Sequence, residues 1–524
     1  METTRRRFLE FTGGAMGLAL ASQTRAQFDT VIQRTPHATK AFAHGIASGD
    51  PLSDRVILWT RLNPPLTSVP SFKVRWEIAH TPEFSDRIAE GETLASADRD
   101  FTVKVDVGGL QPATTYYYRF LSDFGPSPSG RTRTLPDSGS DELRIAFVSC
   151  ANYGAGYFNV YRRLAQRDDL HFILHLGDYI YEYGDGEFGD RRPLDPPYET
   201  ITLDDYRRRY ACYRSDPDLQ WAHRMHPFIP VWDDHETANN SWEDGAANHN
   251  PSEGEGLWQE RRQAGIRAYS EWLPIRPNPD RGDPLYRQFE IGNLADIIML
   301  DTRLEGRDRS QWMARRHFPP RDMLGEEQSS WLLNRLSYSQ NRGAIWRILG
   351  QQVMFSPLNA IGLPNAFGGG LKLSGDQWDG YQQARMRILR FIENRGIQNL
   401  TVLTGDIHSS WVMELALDPN NRLHYDPETG AGSLGVELVT PAISSPGLPE
   451  AASPLSRVVY NQNPHIKYVE FSRRGYVLLD LNPQELQARW YHMARVDQPS
   501  DEETLACAFR VRAGSHHLEP ILDD

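Results

Sequence analysis

Short apolar runs alternating with polar positions fill residues 42–135, most clearly at 56–61, 71–79, 102–107 and 116–122. They are rich in β-branched and aromatic residues and are separated by Gly, Pro and Asp. This pattern predicts strands and an all-β unit over 40–136. The Pro-, Ser- and Gly-rich stretch 125–141 reads as a linker. From residue 142 the period changes. Strand-like runs at 143–149, 170–176, 296–300, 346–355, 399–404 and 436–440 alternate with helical patterns at 157–166, 203–213, 257–273, 326–339 and 381–395. Such alternation predicts an α/β domain over 142–500 with its sheet covered on both faces. Runs at 468–471, 475–481 and 487–491 predict antiparallel strands returning to that sheet, and 501–524 is left as a C-terminal tail.

The N-terminus breaks this texture. Thr4-Arg5-Arg6-Arg7-Phe8-Leu9 precedes a weakly apolar stretch, 11–21, that is too short to span a bilayer and contains Gly13, Gly14 and Gly17. It reads as a twin-arginine export signal over 1–26, removed near Ala26. The expected partner is the twin-arginine export machinery, and the expected location is periplasmic or extracellular. No other run is long enough to span a membrane, so the mature form is expected to have no span.

The 524-residue chain carries a formal net charge of -13, which argues against a nucleic-acid partner because phosphate contacts need a basic surface. Only Cys150, Cys212 and Cys507 are present. Two could pair, but the sequence does not say which. Cys150 ends a strand-like run and is the candidate thiolate ligand.

Three strings place ionisable groups where an apolar run stops: GDYIYE at 177–182, WDDHE at 232–236 and GDIHSSW at 405–411. In open α/β sheets, ligands bind beyond the carboxyl ends of strands. Oxygen and imidazole donors brought there from separate strands suit a multinuclear metal hydrolase. Asp178 and Tyr181 could both reach one metal. Asp234 is a candidate ligand and His235 a candidate proton donor or phosphate contact. If the chain is extended at 406–408, Asp406 and His408 share a face and point at one cluster. Each string alone has a plainer reading, such as tyrosines packed under a loop or a charged surface turn. Three acid-bearing strand ends in one chain make that coincidence hard to sustain. Arg303 could hold a phosphoryl oxygen, against the simpler reading of an ion pair with Asp301 or Glu305.

These residues also carry a resemblance. The run Leu110-Gln111-Pro112-Ala113-Thr114-Thr115-Tyr116-Tyr117-Tyr118 resembles the tyrosine corner of fibronectin type III modules. GDYIYE resembles the GDxxY block of purple acid phosphatases and calcineurin-like metallophosphoesterases. WDDHE stands where those enzymes have GNH, and GDIHSS where they have GHxH. HGIASGDP at 44–51, LWTR at 58–61, Ser149-Cys150 and the three strings together resemble the PhoD-type alkaline phosphatase/phosphodiesterase family over about residues 40–500.

The resemblance implies a four-layer α/β metallophosphoesterase sandwich behind a fibronectin-like domain, with Fe(3+) and Ca(2+) as cofactors. It implies metal ligation by Cys150, Asp178 (bridging), Tyr181, Asp234, Asp406 and His408, with Asp178 and His235 in catalysis. Asn239 or Asn240 could add an amide oxygen. The missing first DxH block and the Asp-for-Asn and Asp-for-His changes weigh against a zinc or manganese pair. The implied reaction is hydrolysis of phosphate monoesters and/or diesters by a metal-activated hydroxide attacking phosphorus in line. Expected substrates are small phosphoesters, with phospholipid or teichoic-acid-like diesters among them. A calcium-dependent phospholipase D-like diesterase, and a secreted calcium-stabilised binding protein without catalysis, stand as alternatives. Specificity is assigned to the loops 184–197, 246–256 and 366–379.

Overall fold

The computed structural model describes residues 37–65, 68–277, 284–310 and 321–522, and the export signal read at 1–26 lies outside them. Two large sheets dominate. The first has ten strands in the order Glu519–Pro520, Glu503–Arg512, Glu485–Met493, Gly475–Leu481, Leu143–Val148, Phe172–His175, Pro227–Pro230, Ile46–Gly49, Arg55–Arg61 and Thr102–Gly108. The second has seven: Arg287–Ile291, Ala295–Met299, Trp346–Gly350, Leu400–Thr404, Ser433–Val439, Ser410–Ala416 and Ile466–Glu470.

The central strands of both sheets are parallel and almost wholly buried. That is why they read as continuous apolar runs rather than alternating ones. One core joins Phe147, Leu174 and Ile229 of the first sheet to Ile297, Ile348, Leu403 and Leu438 of the second. Polar groups pin the faces together as well. The Trp490 indole donates to the Val439 carbonyl at 2.9 Å, and the Trp346 indole to that of Asn482 at 2.8 Å. Helices Asn159–Ala165, Leu203–Arg214, Pro217–Met225 and Trp258–Trp272 serve the first sheet, and Gly325–Asn341 and Gln382–Arg395 cover the second. The expected four-layer arrangement is present.

The N-terminal unit is all-β, with a separate sheet of Arg87–Ser96, Ser71–Ala79, Thr115–Ser122 and short partners. Its corner closes as the sequence suggested, with the Gln111 N–H donating to the Tyr116 hydroxyl at 2.8 Å. It does not stand apart, however. Ile46–Gly49 pairs parallel with Pro227–Pro230 while also pairing antiparallel with Arg55–Arg61, so one sheet runs through both units.

Three expectations need correction. The segment 501–524 is not a tail, because Glu503–Arg512 pairs along Glu485–Met493 and extends the first sheet. The run 346–355 leaves the sheet at Gly350, because Gln351 and Gln352 turn inward to bond neighbouring segments. Of the returning strands, Ile466–Glu470 joins the second sheet and only the later two join the first.

Candidate active site

The carboxyl ends of Leu143–Val148, Phe172–His175, Pro227–Pro230 and Leu400–Thr404 meet at one edge of the two-sheet sandwich. Each chain turns sharply there. Cys150, Asp178, Asp406 and His408 all have left-handed φ values, 63°, 54°, 61° and 54°. Non-glycine residues rarely adopt that region, and at functional sites surrounding structure holds them in it. The turns are braced against each other. The Cys150 N–H donates to the Gly177 carbonyl (3.1 Å), Ala151 N–H to Asp178 O (2.8 Å), and Gly405 N–H to Gln352 O (2.9 Å). The Glu236 carboxylate accepts from the N–H groups of Asp178 (3.1 Å), Tyr179 (2.6 Å) and Asp233 (2.7 Å), tying two strand ends to one side chain.

Three groups of ligand atoms result, each within 4.8 Å: Cys150, Asp178 and His408; Asp178, Asp234 and His235; and Asp233, Asp234 and Asp406. Asp178 and Asp234 are shared between groups, as a bridged centre requires. The Tyr181 hydroxyl donates to Asp178 Oδ2 at 2.8 Å, lies 3.0 Å from His408 Nε2, and accepts from the Ser445 hydroxyl at 2.8 Å. His408 Nδ1 donates to the Pro446 carbonyl at 2.9 Å, which leaves Nε2 as the acceptor that faces the cluster. Asp406 and His408 belong to the same linked centre but to different ligand groups, contrary to the expectation that they point at one spot. The Ile407 N–H closes a tight turn onto Gly405 O at 2.7 Å, so the chain is not extended and the two side chains part.

The electrostatics are those of a site short of positive charge. Burial pushes the Asp178 carboxyl well above the usual range; His235 opposes this, while Asp234, Glu236 and Asp406 reinforce it. Asp233 is raised by burial despite Arg303, and Asp406 is raised by burial to about 6. Burial drives the Cys150 thiol well up, with Asp178 adding to it, and lowers His408 to about 4. Asp234 is the exception: burial opposes its charge, but Arg303 and His235 hold it ionised. Burial also disfavours the imidazolium of His235, yet Glu182, Asp234 and Asp178 outweigh it and raise its pKa well above 6.5. Glu182 Oε2 lies 2.6 Å from His235 Nδ1, and its other oxygen accepts from the Asn239 N–H and the Asn248 amide.

Arg303 is fully buried at the hub. It pairs with Asp233, with Asp376 at 2.7 Å and with Asp406 at 2.6 Å, and lies 3.4 Å from Asp234. Neither sequence reading of it holds: its ion pairs are not with Asp301 or Glu305, and its donors are engaged by the cluster rather than turned to a substrate. One guanidinium still cannot neutralise Asp178, Asp233, Asp234 and Asp406. Asp178 Oδ1, Asp233 Oδ2 and Asp234 Oδ1 are buried without hydrogen-bond partners. Orphaned carboxylate oxygens pointing into a common space are costly unless cations fill it, so the donor set fits metal ions.

Sequence reasoning missed Asp233 as a group member, Glu182 and Glu236 as positioning groups, Asp376 and Gln377 as individual residues of the loop 366–379, and Ser445 entirely. Gln377 Nε2 donates to Asp406 at 2.6 Å. Of these, only Asp233, Glu182 and Glu236 stood inside the singled-out strings. All three loops to which specificity was assigned reach the centre: Phe188 lies 5.7 Å from the Tyr181 ring, Asn248 bonds Glu182, and Gln377 bonds Asp406. All three cysteines are free, so Cys212 and Cys507 do not pair.

Residues 145–490 match the family of PhoD-like phosphatases, and residues 26–136 match the PhoD-like phosphatase N-terminal domain. The chain belongs to the PhoD-like phosphatase family. It is 37% identical to alkaline phosphatase D of Bacillus subtilis (strain 168) over 529 residues, covering 94% of this chain and 85% of that one. A solved structure of PhoD superposes with a TM-score of 0.83 at 34% identity, covering 93% of each chain. Family membership makes this protein a hydrolase of phosphoric ester bonds and bears out the two-part fold. Among the described residues no helix is long and apolar enough to cross a membrane.

Proposed function

We propose that this protein is an exported, metal-dependent phosphoesterase acting on phosphate monoesters and/or diesters, with ferric iron and calcium held at the strand-end centre. The observation that carries the reading is the division of donors. Cys150, Asp178 and His408, with the Tyr181 phenol beside them, offer the sulfur, nitrogen and oxygen mix suited to iron. Asp233, Asp234 and Asp406 form an all-oxygen group of the kind that calcium takes. When bound, such cations supply Lewis acidity and the positive charge that phosphoryl transfer needs.

The chain's own residues then divide the work. Asp178 and Asp234 each belong to two groups and hold the centre together. His235, oriented by Glu182, whose carboxylate favours the imidazolium, is placed to donate a proton to the leaving oxygen. Phe188 and the tilted ring pair of Tyr181 and His235, centroids 4.2 Å apart, line one side of the site. Export follows from the twin arginines, with the twin-arginine machinery as partner and a periplasmic or extracellular location. Lys substitutions at Arg5 and Arg6 should retain the protein in the cytosol.

Elemental analysis and a visible spectrum on the natively exported protein test the metal assignment. Iron plus calcium, with a charge-transfer band lost in Tyr181→Phe, is expected. Zinc or manganese alone would overturn the metals while leaving the activity. Asp178→Asn should abolish hydrolysis without unfolding the chain. The ratio of activity on mono- and bis-nitrophenyl phosphate then separates a monoesterase from a phospholipase D-like diesterase.

A further inference from the structure

A cavity of about 380 Å³ lies beside the metal-ligand groups, walled by Gly189, Arg191, Ser444, Pro446 and Arg474 among others. It shares its wall with the centre in three places. The Pro446 carbonyl accepts from His408 Nδ1. Ser444 precedes Ser445, whose hydroxyl meets the Tyr181 phenol. Gly189 follows Phe188, whose ring centroid is 6.1 Å from that of His408.

Arg474 is the unusual member. It is half-buried, its Nη1 donates to the Ser472 carbonyl, and its Nε is buried with no hydrogen-bond partner. It makes no ion pair with any described residue. Glu470, the carboxylate that acts on it, already accepts from the N–H groups of Ser472 and Arg473. A Cβ built on Gly447 would lie 3.5 Å from Arg474 Nη1 and 2.8 Å from the His408 carbonyl oxygen, so Gly447 lies between the guanidinium and the backbone of a candidate ligand residue. Arg191, which also lines the cavity, is exposed and acts with Arg495 on Asp497. Two carboxylates also line the space: Asp190 is exposed, and Asp497 is held by Arg495 at 2.7 and 2.9 Å. A partly desolvated guanidinium without a close ion pair costs stability unless an anion completes it.

Resting on the phosphoesterase reading, we propose that this cavity is an anionic subsite: Arg474, with Arg191, takes a second phosphate-like group carried on the alcohol part of the substrate. The reacting ester lies at the Asp178 centre, and the second anion is held one wall away. The favoured substrates are therefore bis-anionic phosphoesters rather than simple alkyl phosphates.

The test compares α,ω-alkanediol bisphosphates with the matching alkyl monophosphates over a series of chain lengths, using the natively exported holoenzyme. Calorimetry with butane-1,4-diphosphonate against butylphosphonate reads binding without turnover. A preference of about tenfold in kcat/KM and in Kd at the best chain length is expected, as for one added charge-assisted contact. It should fall toward parity in Arg474→Gln and return in part in Arg474→Lys. A preference that survives Arg474→Gln overturns the proposal. So does a wild-type enzyme that hydrolyses monophosphates with no preference at any length, a result that needs no variant to fold. If the wild type hydrolyses neither series nor bis-nitrophenyl phosphate, the phosphoesterase reading fails and takes the subsite with it; if it hydrolyses the diester alone, equal calorimetric affinity for the two phosphonates overturns the subsite by itself.

Discussion

At the residue scale, the site depends on a few positions where backbone and side chain leave no alternative. Gly177 has φ 105°, and a Cβ there would fall 2.4 Å from Asp233 Cβ and 2.6 Å from Asp233 N. Gly177→Ala should therefore destabilise the protein by about 2–4 kcal/mol, through backbone strain and overpacking together. A urea denaturation midpoint within error of wild type would refute this. Glu236 accepts three backbone N–H bonds, and burial raises its pKa to about 7. Glu236→Gln keeps the volume but presents a donor to some of those N–H groups. A loss of roughly 2 kcal/mol is expected, together with weaker metal retention on dialysis, since Asp178 and Asp233 are the turns it holds. Retained metal with unchanged stability would make Glu236 a bystander.

At the element scale, the helix Leu203–Arg214 supports the GDYIYE loop from outside. Arg209 is fully buried, and its donors go to the carbonyls of Tyr181, Tyr183 (2.7 Å), Pro196 (2.7 Å) and Tyr198 (3.1 Å). The helix starts with a capping box in which Thr202 and Asp205 bond each other's backbone. Thr202→Ala should cost about 1 kcal/mol and speed hydrogen exchange at the Asp205 amide. Unchanged exchange there would mean that packing, not the cap, holds the helix start. The mid-chain strings themselves were legible because parallel strands buried on both faces give unbroken apolar runs, and their ends are marked by the first acid or histidine. Strand extents were less legible where a glutamine, such as Gln351, ends pairing by bonding sideways.

At the scale of the whole molecule, Ile46–Gly49 completes the catalytic sheet from the N-terminal unit. Removing residues 40–136 would bare the edge of Pro227–Pro230. The remainder is expected to be aggregated or poorly folded, and the intact chain to melt in one calorimetric transition. Two well-separated transitions would show that the units fold independently. Buried histidines set a second global property. His175, His226 and His465 are each fully buried, and burial lowers each to about 3. They stay neutral in the fold and charge in the unfolded chain near 6.5. The stability they contribute is full above that pH and is lost as pH falls toward 3. Together they add a slope of up to about 4 kcal/mol per pH unit in that window. Urea midpoints that stay flat from pH 7 to 5 would contradict this.

The sequence by itself determined the layer types and marked as candidates the strand ends with Cys150, Asp178, Tyr181, Asp234, His235, Asp406 and His408, because burial and ionisable groups both leave local signatures. It could not decide which of these share a group. That depends on turn conformation, as the split of Asp406 from His408 shows, and turns of this kind are imposed by neighbouring strand ends. Nor could it find Arg303 as the hub, Gln377 and Ser445 as supports, or the cavity at Arg474. Those roles arise where segments distant in sequence converge, and only packing of one sheet against the other brings them together.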